Sequence, residues 1–249
     1  MERLDKTIST VMNLTRSEAR RLIKIGKVFV DGERAKAFDT KVNEFSDITV
    51  NGEKITFEKN VYIMMNKAKG VVCDDKGKFP YAVDVLPEEL KRKDLFCVGR
   101  LDKDTTGLLI ITNDGDFSHK VISPKNHIEK CYKATLSNPI TDADTEKAKS
   151  GMTLSDGTVL MSADIKILTA DRKTVNFIIK EGKYHQIKRM AGALDNKITD
   201  LHRESIGGLA LFDSLENGQS TRISLETALK VFDKYAPLRS IFINTFLTF

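Results

Sequence analysis

Arg100 and Asp102 stand two residues apart in the segment Val98-Gly99-Arg100-Leu101-Asp102-Lys103-Asp104-Thr105-Thr106-Gly107, just before the apolar run Leu108-Leu109-Ile110-Ile111. A carboxylate held at the mouth of a buried strand, rather than on a solvated loop, is a candidate catalytic group. Gly99 and Gly107 bracket the turn, and the unbroken apolar run is that of a strand covered on both faces. By composition alone, Asp and Thr between two glycines read equally as turn residues.

Two further segments carry groups that could serve such a carboxylate. In Glu129-Lys130-Cys131-Tyr132-Lys133-Ala134-Thr135-Leu136 the alternation sets Tyr132 on one face with Ala134 and Leu136, and a core tyrosine fits that pattern as well as a working one. The segment 180–194 begins with a glycine turn and becomes a helix: Ile187, Met190, Ala191 and Leu194 form its buried stripe, while His185, Lys188 and Arg189 lie off it. Two basic groups near a helix start are either a site or a solvated cluster.

The elements that position these groups fall into two units. In the first sixty residues, Thr15 and Glu18 have the spacing of a capping box, Arg16 to Ile25 is a good helix former, and Gly26 supplies the left-handed stop. Arg16, Arg20 and Lys24 recur every four residues and share one face, with Arg21 and Lys27 enlarging the basic surface. Such a row is either a solvated face or a grip on phosphates. Val28-Phe29-Val30 runs into an Asp31-Gly32 turn, and Asn51-Gly52 joins Ile48-Thr49-Val50 to Glu53-Lys54-Ile55 as a hairpin. Glu58-Lys59-Asn60 is a polar join, after which strands alternate with short helices to about residue 232. Thr141 and Asp144 cap one of those helices, and Gly151 ends it.

Composition narrows the class. Of the 249 residues, 41% are hydrophobic and 30% charged, the balance of a soluble globular protein, and the net charge of +5 is a modest basic bias. No apolar run is long enough to span a membrane, and the amino-terminal residues lack the apolar core of a signal peptide, so a cytoplasmic location is expected. Cys73, Cys97 and Cys131 have neither disulfide-framework nor metal-site spacing and read as reduced packing residues. The four histidines show no ligand spacing, so no metal is expected.

The string from Gly99 to Leu109 resembles the GRLDxxTxGLL signature of RNA pseudouridine synthases, specifically the branch that modifies single sites in ribosomal RNA. Asn66-Lys67-Ala68-Lys69-Gly70 is similar to the NKPKG turn of that family, with Ala68 in place of proline, which implies a looser turn. Glu181-Gly182 through Gln186 to Arg189-Met190 is similar to its EGxxxQxxRM motif. Arg3-Leu4-Asp5-Lys6, residues 16–28 and Val30-Asp31-Gly32 resemble the S4 RNA-binding module.

The resemblance implies an α+β architecture: an S4 domain over residues 1–58, and a catalytic domain over 61–232 with a mainly antiparallel mixed sheet flanked by helices. A tail, 233–249, has no assigned role; its end, Pro237 to Phe249, is apolar and suits a packed extension or an oligomer contact. Asp102 would be the nucleophile. It would either add to C1′ of the ribose or work through a glycal-like intermediate. Tyr132 would lie against the target base, and Lys188, with Arg189 as its neighbour, would pair with the carboxylate. A cation beside a sheltered carboxylate offsets the desolvation that favours the neutral acid. Arg100 would fill the space left by an everted base or clamp a phosphate; Arg189 would also bind the RNA, and Arg16, Arg20, Lys24 and Lys27 would grip its backbone.

Uridine isomerisation needs no redox agent, so no cofactor is expected. Tyr184-His185-Gln186 and Leu201 to Gly208 are similar to the small-subunit branch, whose substrate would be 16S rRNA in a small-subunit assembly intermediate, with the enzyme acting as a monomer. Action on 23S rRNA, or a non-catalytic role in ribosome assembly, are the alternatives.

Overall fold

The structure is a computed structural model that describes residues 1–74 and 77–235; the apolar tail from Pro237 to Phe249 lies outside the described residues. Two hydrophobic units are built along the chain. The first packs the helices Leu4–Val11 and Arg16–Lys24 against an antiparallel sheet of Glu33–Arg34, Val28–Val30, Ile48–Val50 and Glu53–Ile55. Its core is Leu4, Ile8, Ala19, Ile23, Val28, Val42, Ile48 and Val50, with Ala35 at its edge. The expected capping box is present, with Glu18 N–H donating to Thr15 Oγ1 at 3.2 Å and Thr15 N–H to Glu18 Oε2 at 2.7 Å. The helix Leu4–Val11 starts at Arg3 without a capping side chain, so it carries no start signal of that kind.

The larger unit is built on a mixed sheet. Its strands run, in spatial order, Asp164–Ile167, Thr174–Ile179, Lys130–Leu136, Ile198–Ile206, Thr106–Thr112, Tyr62–Lys67 and Ser220–Ile223. The neighbours are antiparallel except for the pair of Ile198–Ile206 with Thr106–Thr112. Helices cover both faces, which explains the unbroken apolar runs. Ile63, Met65, Leu109 and Ile111 face the layer holding Ile187 and Met190 of the helix Gln186–Ala193. Tyr62, Met64, Leu108 and Ile110 face Phe117, Val121 and Phe232 on the other side.

The parallel pair sits at the centre, and one residue permits it. Gly107 has φ +102°, and a Cβ there would lie 2.3 Å from the carbonyl oxygen of Arg203. Only glycine lets these two strands approach so closely, and the segment bearing Asp102 enters the sheet at this point.

Candidate active site

Asp102 sits on a loop fastened from three sides. Leu101 is buried in the core, and its N–H donates to Cys73 Sγ at 3.3 Å. Thr105 N–H closes a turn onto Asp102 O at 3.1 Å. The carbonyl of Lys103 accepts from Gly70 N–H at 2.8 Å, and from Lys67 Nζ at 3.5 Å. Lys67 is fully buried, and its ammonium also binds the carbonyls of Ala68 at 3.0 Å and Val71 at 2.8 Å. Burial pushes its pKa down from the ordinary lysine range. The turn after Asn66 is therefore not loosened by Ala68: the lysine ties it internally and couples it to the Asp102 loop. Cys73 likewise does more than pack. The Cys97 thiol beside it, with Leu101 N–H and the Lys67 charge, holds its thiol below the ordinary range against its own burial.

The carboxylate of Asp102 is 28% exposed and meets Lys188 Nζ at 3.0 Å through Oδ2. Its other oxygen is 3.6 Å from His185 Nε2. Lys188 is shared, since its ammonium also binds Asp104 Oδ1 at 2.5 Å. Partial burial works to lower the Lys188 pKa, and the hydrogen bonds of Asp104 and Asp102 outweigh it, so the net direction is up. Asp104 answers in kind: desolvation pushes its pKa up, and Lys188 pulls it below the carboxylate norm.

Lys188 is delivered by a locked helix start. His185 takes left-handed backbone angles of φ 48° and ψ 33°. Buried Gln186 accepts from Lys183 N–H at 2.9 Å and donates to buried Glu181 at 3.0 Å, and Glu181 in turn accepts from Met161 N–H at 2.8 Å. The Glu and Gln of the motif are thus the braces that aim the lysine.

Asp102, Tyr132, Lys188, His185 and Arg100 line one open cleft. Tyr132 is buried on its strand as the alternation requires. Its hydroxyl accepts from Arg203 Nη1 at 3.3 Å, while Arg203 Nε donates to Leu108 O at 2.7 Å. Arg203 is buried beneath the cleft. The sequence contained a signal for it, because an arginine on the same strand face as Leu201 must point inward. Asp104 carried no such signal beyond its place in a turn.

Two other basic residues near the site have partners of their own. Arg189 does not approach Asp102; it binds Asp156, Thr158 Oγ1 at 3.3 Å and Tyr184 O at 3.5 Å. One step along a helix turns a side chain by about 100°, so adjacent residues cannot share a target. Arg100 is 68% exposed at the rim and lies 3.4 Å from Asp74.

In the amino-terminal unit, Arg16 and Arg20 share a face with exposed Lys24, and Lys27 is also exposed. The two arginines are gathered by the carboxylate of Asp5, which is 0% exposed and lies 2.8 Å from Arg20, 3.1 Å from Arg3 and 3.7 Å from Arg16. Desolvation pushes the Asp5 pKa up, but the hydrogen bonds of Arg3 and Arg20 and the charge of Arg16 prevail and bring it to about 2. The Arg20 and Arg3 guanidinium carbons also lie over the half-exposed Phe38 ring, at 4.8 and 5.5 Å from its centroid.

The mixed sheet that bears this cleft, and the small amino-terminal unit, both match known proteins. The family model of RNA pseudouridylate synthase matches residues 61–193, the S4 domain model matches residues 2–46, and the chain belongs to the RNA pseudouridylate synthase family. Among its relatives are ribosomal small subunit pseudouridine synthase A of Vibrio vulnificus, 39% identical over 90% of this chain and 97% of that one, and its namesake of Escherichia coli, 36% identical over 92% and 99%. A solved pseudouridylate synthase structure, 36% identical, covers 93% of this chain and all of its own with a TM-score of 0.65. The chain is thus similar along nearly its whole length to isomerases that act on RNA.

Proposed function

We propose that this enzyme converts a uridine of 16S ribosomal RNA to pseudouridine, with Asp102 as the nucleophile acting on an everted nucleotide. The observation that carries the reading is the Asp102 carboxylate, half-sheltered and 3.0 Å from Lys188, on the wall of a cleft that it shares with Tyr132. The relatives named for the ribosomal small subunit support the choice of RNA.

The reaction breaks the bond between N1 and C1′, turns the uracil and joins C5 to C1′; C5 gives up its proton to water and N1 takes one up, so the composition is unchanged. Both the covalent and the glycal-like route need a carboxylate within reach of the ribose. Lys188 sets its positive charge 3.0 Å from that carboxylate, orienting it and balancing its charge in a cleft filled by substrate. Tyr132 gives the uracil an aromatic surface and a hydroxyl near the ring; a stack of this kind is worth about 1–3 kcal/mol. Extruding the nucleotide costs a few kcal/mol, and Arg100 at the rim is suited to occupy the gap or hold a phosphate. Residues 1–58 dock on the RNA backbone through Arg16, Arg20, Lys24 and Lys27, while residues 61–232 carry the chemistry. The test is to map pseudouridine in ribosomal RNA from cells with the wild-type gene, without it, and with Asp102→Asn. A uridine in 16S rRNA should be modified only by the wild type; modification confined to 23S rRNA, or full modification by the variant, refutes the assignment.

A further inference from the structure

Two exposed aromatic rings, Tyr184 and Phe79, pack on neighbours of the cleft-lining segments and have no role in the scheme above. Tyr184 is 72% exposed, a degree at which a ring of this size leaves one whole face to solvent. It is nevertheless held firmly. Its ring stacks on His185 at 3.8 Å between centroids and 19° between planes, its carbonyl accepts from Arg189, and the left-handed His185 beside it is fixed by the Lys183–Gln186 hydrogen bond. Phe79, 39% exposed, is capped on one side by Lys103, whose ammonium lies 3.5 Å from the ring centroid, with Lys78 at 5.6 Å. His185, 3.6 Å from Asp102, carries Tyr184, and Lys103, which follows Asp102 in the chain, carries Phe79.

A backed aromatic ring with a free face, set among cations, is the arrangement by which proteins hold single-stranded nucleic acid, because every base has a face to offer and the cations take the phosphates. There is also a need for it here. Pulling one nucleotide out of a stack strips a neighbour from the bases on both sides, and an enzyme that offers replacements lowers the cost of eversion. We propose that Tyr184 and Phe79 are stacking seats for the two nucleotides flanking the target uridine, with His185 and Lys103 as their backing. The inference rests on the reading of the cleft as a uridine-modifying site and deepens it by assigning the contacts of the adjacent bases.

The experiment uses the full-length protein and unmodified 16S rRNA transcript. Tyr184→Leu and Phe79→Leu keep apolar bulk and remove the aromatic face; each should raise KM about tenfold, a larger factor than any fall in kcat, and the pair together about a hundredfold. Tyr184→Phe should recover most of what Tyr184→Leu loses. The chain has no tryptophan, so Tyr184→Trp and Phe79→Trp each install a single reporter whose emission should be quenched when a short oligouridylate binds. Unchanged KM in both leucine variants, or a reporter undisturbed at saturating oligouridylate, overturns the seats while leaving the synthase assignment standing. A wild-type enzyme inert on ribosomal RNA overturns the assignment itself, and the seats with it.

Discussion

Asp5 and Asp102 are both carboxylates ringed by basic side chains, one in each unit of the molecule, and they finish in opposite circumstances. Asp5 is wholly buried, and three arginines close over it, so its charge is spent on holding the face of the S4 domain together. Asp102 keeps one partner at 3.0 Å on one oxygen, a histidine at 3.6 Å on the other, and an open cleft in front. Pairing with cations therefore does not distinguish a reactive carboxylate from a structural one. Access does: a nucleophile needs a neighbour to stabilise its charge and a free direction in which to use it.

The contrast is sharpest in activity. Asp102→Asn should lower turnover by at least about a thousandfold, the scale of losing a nucleophile, while thermal unfolding and RNA affinity stay near wild type. Asp5→Asn should do the reverse, leaving chemistry on saturating RNA largely intact and lowering the unfolding temperature of the amino-terminal unit. That loss is about 1–3 kcal/mol, below the range for a fully buried pair because the arginines it releases are half-exposed to water. Lys188→Met should lower kcat about tenfold to a hundredfold, the worth of a charge-assisted hydrogen bond, and Lys188→Arg should restore most of it in single-turnover assays.

Smaller effects separate the two carboxylates by pH and salt. The Asp5 pKa is depressed from 3.8 to about 2, so its stabilisation is present above about pH 4 and is lost as the pH falls towards 2. Acid unfolding followed by circular dichroism should show that loss in the wild type and a flatter profile in Asp5→Asn. Replacing Arg16, Arg20 and Lys24 with alanine should weaken RNA binding and reduce the salt dependence of the affinity. The change in slope should be smaller than three free phosphate contacts would give, since Asp5 already engages two of the three. An undiminished salt slope would return this face to the solvated surface.

Much of the scaffold was legible in the chain because its signals are local. The capping boxes at Thr15 and Thr141, the Asn51-Gly52 turn and the alternation that buries Tyr132 all survive in the fold. Family motifs brought Asp102, Tyr132 and Lys188 together as expected candidates, and one cleft unites them. The helix Leu4–Val11 has no capping side chain to announce it, and Lys67 ends a mostly apolar strand with nothing in its neighbours to say which carbonyls it would tie.

Periodicity, capping and glycine placement belong to neighbours along the chain, so the sequence by itself determined the helices, the hairpins, the buried face of each strand and the family of the enzyme. Which cation answers which carboxylate was decided only by tertiary structure. Lys188 and Asp104 are 84 residues apart, one on the helix Gln186–Ala193 and the other on the loop before the strand Thr106–Thr112, and they meet because that helix and that strand pack in one core layer. The antiparallel pairing of Lys130–Leu136 with Ile198–Ile206 sets Arg203 opposite Tyr132, and the turn of one helix directs Arg189 to Asp156 rather than to Asp102. Contacts of that separation are fixed by how sheets and helices pack, a property that no window of sequence contains.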